Sequence, residues 1–233
     1  MGYLLLAGGA EFGGSMRIPD RRAIDLAGGV KARIRIIPAA AAPDNNHQRA
    51  GNNGASWFHK LGAGDVKVLS LIDRTSADNS DIIADMQHSS LIYLLGGFPR
   101  HLEKSLAGSL GWKALLEVYQ RGGVIAGSSA GAMVLCGHYY DPSSREVLKG
   151  LGLLPGTCFL PHHNDFGKNW VSALTPLTPQ VVLIGVDEET AILNDGSKGS
   201  WTVYGKGEAT IYRPSGPEIY RGGEIFHLPQ PMP

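Results

Sequence analysis

The chain has 233 residues with 21 basic and 21 acidic side chains, so its formal charge is zero and no basic run offers nucleic-acid phosphates a binding face. A composition that is 43% hydrophobic and 18% charged excludes intrinsic disorder and suits one domain spanning residues 1–233. No stretch approaches the ~18 apolar residues of a membrane helix, the opening segment is no secretory signal, and Cys136 and Cys158 belong to no CxxC pair; these features point to a cytoplasmic protein with no membrane partner.

Strand-like and helix-like segments alternate over the first 140 residues. Tyr3-Leu4-Leu5-Leu6-Ala7 is an unbroken apolar run stopped by Gly8-Gly9, the pattern of a strand buried on both faces. Ala23 to Gly28 reads as the end of a helix, and Arg33 to Ile37 as a second strand closed by Pro38. A helical stretch from about Asn46 to Leu61 leads to a third strand at Val66 to Leu69. Ile82 to Met86 is helical, Leu91 to Leu95 a strand entering Gly96-Gly97, Trp112 to Tyr119 a helix, and Gly123 to Ala126 a fifth strand. This alternation predicts a three-layer α/β sandwich around a mainly parallel sheet. From Val181 onward, short apolar runs separated by Gly, Asn-Asp or Pro read as antiparallel hairpins added to the sheet edge or packed at one end.

The sharpest chemical signal is Gly127-Ser128-Ser129-Ala130-Gly131-Ala132, placed between a strand and a helical stretch. In that context G-x-S-x-G is a nucleophile elbow: the serine stands at the apex of a strained turn, and glycines two residues before and after it relieve crowding. Ser129 is the candidate nucleophile and the Ala130 N–H a candidate oxyanion donor. Gly96-Gly97 ends the neighbouring strand, so an N–H of Gly97 or Phe98 is the candidate second donor.

A serine nucleophile needs a base. Of eight histidines, the pair in Pro161-His162-His163-Asn164-Asp165 emerges just past the apolar Cys158-Phe159-Leu160. No HExxH or carboxylate ligand set accompanies the pair, so neither metal nor cofactor is expected. The base in turn needs an acid; Asp187-Glu188-Glu189 offers three carboxylates between apolar runs, and Asp141 is the rival.

Taken together these segments resemble peptidase family S51, the cyanophycinases and aspartyl dipeptidases on the class I glutamine-amidotransferase-like fold. Five blocks carry the resemblance in order: Gly8 to Glu11, Leu95-Gly96-Gly97, Gly127 to Ala132, Gly150 to Gly156, and Gly185 to Ala191. It implies a Ser129 nucleophile, a His162 base and, in the cyanophycinase branch, a Glu188 acid, whereas the dipeptidase branch places an Asp near the position of Asp141. It also implies a homodimer. Two departures matter. Phe98-Pro99-Arg100 stands where cyanophycinases have Asp-Gln after the glycine pair. Leu160-Pro161 precedes the histidine where they have Asp-Gln, and no arginines follow it. A short peptide, acidic or isoaspartyl, cut by an exopeptidase or dipeptidase, is therefore the expected substrate, with Phe98, Arg100, His163 and Lys168 as candidate binding residues. Three alternatives stay open: a cyanophycinase proper, an α/β-hydrolase-type esterase using His227, and a non-catalytic binding protein on the same fold.

Overall fold

A computed structural model describes residues 1–177 and 180–232. The first sheet contains eight strands: β1 (Tyr3–Ala7), β2 (Arg33–Ile37), β3 (Asp65–Val68), β4 (Leu91–Leu94), β5 (Val124–Ser128), β10 (Thr190–Leu193), β11 (Trp201–Gly205) and β14 (Ile225–Phe226). They run in the order β14-β11-β10-β1-β5-β4-β2-β3; the five early strands are mutually parallel, and the three late ones extend the β1 side antiparallel. Among the described residues, six helices of six or more residues accompany them: α1 (Arg17–Leu26), α2 (His47–Lys60), α3 (Ser80–Gln87), α4 (Pro99–Leu106), α5 (Leu110–Gln120) and α6 (Ala130–Leu135). A short α7 (Val171–Leu174) follows.

The unbroken apolar runs have a simple cause. Successive residues of a strand face opposite ways, and here both faces are covered. Leu4, Leu6, Ile92, Leu94 and Ile125 join one buried cluster with α3, α5 and α6, whereas Leu5, Ala7, Leu91, Tyr93 and Ala126 join another with α1 and α2. Each fully buried Leu or Ile contributes roughly 1.5–3 kcal/mol of transfer free energy, so these strands tolerate no polar alternation.

A second sheet was not foreseen from the sequence. It contains β6 (Cys136–Asp141), β7 (Glu146–Lys149), β8 (Leu154–Leu160), β9 (Val182–Val186), β12 (Glu208–Arg213) and β13 (Gly216–Arg221), in the order β13-β12-β9-β8-β6-β7. The late strands, expected as antiparallel hairpins at the sheet edge or packed at one end, are divided: β10, β11 and β14 extend the first sheet, while β12 and β13 pair antiparallel beside β9 in the second. Phe159, Ile184, Val186 and Ile211 of this sheet pack into the same buried cluster as Leu4 and Leu6. The turn-like Leu154-Pro155-Gly156 belongs to β8, where the register against β6 shifts between Cys136 and His138 and Gly156 has φ +67. A bulge of this kind accommodates Pro and Gly inside a strand.

Two connections, one after β8 and one after β9, bring the second sheet to the first and shape the site. β8 of the second sheet ends at Leu160, and the following residues reach the carboxyl ends of β1 and β5. Asp187, Glu188 and Glu189 then link β9 of the second sheet to β10 of the first.

Candidate active site

Ser129 lies between β5 and α6 with φ +48 and ψ −114, a strained backbone for a non-glycine residue. Its N–H is tied to the Ala7 carbonyl at 3.0 Å, which locks the turn to the end of β1. The flanking glycines are sterically required. A Cβ on Gly127 would lie 2.5 Å from the Gly131 carbonyl carbon, and one on Gly131 would collide with the Leu94 backbone. The side chain of Ser129 remains partly accessible while Ser128 is fully buried.

His162 follows Pro161 and also has a left-handed backbone, φ +48. Its N–H donates to the Gly8 carbonyl at 2.7 Å, and its carbonyl accepts from Asp165 and Gly167, both at 2.9 Å. These bonds hold a tight turn that swings the ring over the first sheet. The ring stacks on Phe166, centroids 4.7 Å apart and planes 27° apart, and its side chain is 18% exposed. Its Nε2 stands 3.1 Å from Ser129 Oγ and its Nδ1 2.7 Å from Glu188 Oε1. A Cβ on Gly9 would overlap this ring, so the second glycine of Gly8-Gly9 leaves the room the imidazole occupies.

The three carboxylates of the β9–β10 link point three ways. Asp187 accepts the Glu208 N–H at 2.9 Å. Glu188 turns to His162, its own N–H held by Asn164 Oδ1 at 2.9 Å. Glu189 accepts the Ser15 N–H at 3.0 Å and pairs with Lys206, and the Lys206 ammonium and that N–H hold its carboxyl below the usual carboxylate range.

Ser129, His162 and Glu188 are thus brought together, and several other expected residues are not. Asp141 lies elsewhere: buried at the end of β6, it accepts from the Ser143 N–H and Ser144 hydroxyl and sits 3.7 Å from Arg100. The Phe98 N–H donates to the Ala40 carbonyl at 2.8 Å, so it is not free to serve as an oxyanion donor. His163 is 5% exposed and faces the second sheet, with Nε2 2.9 Å from the Tyr212 hydroxyl; burial pushes its pKa down. Lys168 is exposed and lines a depression with His163 and Asp187. Arg100 reaches Asp141 and, at 3.9 Å, Glu146, while Phe98 is 42% exposed; both line a cavity of about 460 Å³ with Pro43, His101 and Lys104. His227, the base an α/β-hydrolase would use, offers its carbonyl to Arg213. Asn164 and Phe166 escaped the sequence reading; the one signal for them was their place in the turn after the histidine, where a short polar side chain can bond backbone N–H groups.

No group of three or more His, Cys, Asp or Glu is arranged to hold a metal among the described residues, and none of their helices is long and apolar enough to cross a membrane.

The chain is similar to known proteins in both sequence and fold. A cyanophycinase of Trichormus variabilis is 30% identical over 245 residues, covering 98% of this chain and 76% of its own length. A cyanophycinase of Geminocystis herdmanii is 29% identical over 220 residues, covering 89% and 79%. The crystal structure of a peptidase from an acI-B1 Actinobacterium superposes with a TM-score of 0.85 at 28% identity, covering 97% of this chain and 96% of that one. Residues 4–201 match the profile of peptidase family S51, and the chain belongs to that family of hydrolases acting on peptide bonds.

Proposed function

We propose that the chain hydrolyses short peptides through an acyl-enzyme on Ser129. The observation that carries this reading is the line Ser129 Oγ, His162 Nε2, His162 Nδ1, Glu188 Oε1, with separations of 3.1 and 2.7 Å at its two ends. A carboxylate only accepts hydrogen bonds, so Glu188 fixes the neutral tautomer with its proton on Nδ1 and leaves the Nε2 lone pair for the Ser129 hydroxyl. His162 then takes the hydroxyl proton as Ser129 attacks the carbonyl, returns it to the leaving amine, and activates the water that releases the acyl group. The N–H groups of Gly97 and Ala130 stabilise the developing oxyanion, each to the extent of roughly 2.7–4 kcal/mol.

A short peptide is favoured over cyanophycin by the surroundings of His162. Asn164, Asp165 and Phe166 follow it, with no arginine among them, and Arg100 is already matched by Asp141 and Glu146. The name shared by the sequence relatives supports a second reading, hydrolysis of cyanophycin itself. A panel of dipeptides, including Asp-Xaa and β-aspartyl members, run beside cyanophycin separates the two. Turnover of a panel member that disappears in Ser129→Ala, with an unchanged circular dichroism spectrum, is the expected result. Turnover surviving in Ser129→Ala would eliminate the mechanism, and release of product from cyanophycin alone would select the second reading.

A further inference from the structure

The loop after β1 carries a carboxylate that this chemistry does not use. Glu11 lies between Ala10 and Phe12, which have φ +53 and +66, so two strained residues hold it in place. The ring of Phe12 anchors the loop against Phe58 and Tyr93, at centroid distances of 6.1 and 5.5 Å. Glu11 Oε2 accepts the hydroxyl of the buried Ser128 at 2.8 Å, which aims the carboxylate at the strand end bearing Ser129.

The other oxygen, Oε1, lies beside Gly96, as Ser129 does. A Cβ on Gly96 would stand 3.3 Å from Glu11 Oε1 and 3.3 Å from Ser129 Cβ, so these two atoms are at most twice that distance apart. Because residue 96 is glycine, the space between them holds no side chain. Glu11 is partly accessible and borders a cavity of about 340 Å³ beside α2, lined also by Phe12, Asn46 and Arg49.

The spacing selects a ligand. In a peptide with a free amino terminus, the α-nitrogen lies about 2.5 Å from the first carbonyl carbon. With about 3 Å between that carbon and the attacking oxygen, and about 2.8 Å between ammonium and carboxylate, an α-ammonium spans the gap. A lysine or arginine side chain would carry its cation about 6 Å beyond Cα and overshoot.

We infer that Glu11 binds the free α-ammonium of the substrate's first residue, so that hydrolysis removes a single residue from the amino terminus. The inference rests on Ser129 being the nucleophile. Diphenyl 1-aminoethylphosphonate and its N-acetyl derivative test it without knowledge of the natural peptide, since each phosphonylates a reactive serine with loss of phenol. Second-order rates of Ser129 modification are read by mass spectrometry. Wild type should prefer the free amine by about 10-fold or more, the lower end for a hydrogen bond to a charged group. Glu11→Gln keeps an acceptor for Ser128 and removes the charge, so the ratio should fall towards one, and Glu11→Asp should restore part of it. Because the measure is a ratio, a general loss of Ser129 reactivity cancels. A ratio unchanged in Glu11→Gln, or no preference in wild type, overturns the inference. Failure of wild type to react with either phosphonate or with a simple fluorophosphonate would instead refute the Ser129 reading beneath it.

Discussion

Replacing Glu188 by Gln keeps the shape of the side chain and removes its charge, leaving the imidazolium formed during attack without a counterion. Glu188 Oε1 is 2.7 Å from His162 Nδ1, which puts the two charge centres ~4 Å apart; at an effective dielectric of ~20 their attraction is about 4 kcal/mol. The Glu188 side chain is 38% exposed, so water screens part of this and about 2–3 kcal/mol is expected. That corresponds to a fall of about 30- to 150-fold in the rate of Ser129 phosphonylation. The assay is the rate of labelling by a fluorophosphonate at pH 7.5, with Asp141→Asn as the comparison. Asp141 caps the turn after β6, so its substitution should lower the melting temperature while labelling continues. Labelling of Glu188→Gln within twofold of wild type, or a larger labelling defect in Asp141→Asn, would refute the assignment of Glu188 as the acid.

Two further outcomes follow from the packing around the site. Gly9→Ala adds a methyl group inside the space of the His162 ring, at a residue with φ +126; labelling should drop by about 100-fold or more, with a stability cost of about 1–3 kcal/mol, and near-normal labelling would mean the ring lies elsewhere. Asp20 is fully buried against Trp57, and burial, with a smaller contribution from the charge of Glu11, raises its pKa from 3.8 to about 7. A group whose pKa is higher folded than unfolded contributes its stability below pH ~4 and loses it as pH rises to ~7, here up to about 4 kcal/mol. Urea melts of Asp20→Asn between pH 4.5 and 8 should therefore show a flatter pH dependence than wild type, and parallel curves would contradict the burial argument.

The first sheet was legible in the chain because burial on both faces leaves a mark that needs no partner to be read. β1, β4 and β5 are apolar at nearly every position and each stops at a small-residue turn. The serine elbow was legible for a similar reason, since its glycines answer a clash two residues away. The second sheet left no such mark. β6 follows α6 at Cys136 with no residue between them, β7 is the short, half-exposed Glu-Val-Leu-Lys, and β8 contains at its start a Pro-Gly pair that reads as a turn. α4 went unread behind the loop of Phe98, and β13, with Pro217, is an edge strand. The meeting of Ser129 with a histidine 33 positions later and an acid 26 beyond that depends on two sheet crossings, which no local pattern encodes. Family resemblance selected His162 over His163; the structural reason is the turn after β8, where the left-handed backbone of His162 brings its ring to Ser129 while His163 is buried against Tyr212.

Strand β1 has one further consequence, for the order in which the enzyme comes into being. Its neighbours are β5 and β10, both later in the chain, and β10 ends at Leu193. A ribosome must therefore release the whole stretch from β1 to Leu193 before β1 gains its second partner, and Glu188 emerges only just ahead of it. On the proposed mechanism, copies that stop short of Glu188 hold Ser129 without its acid and are expected to be inert instead of loosely proteolytic.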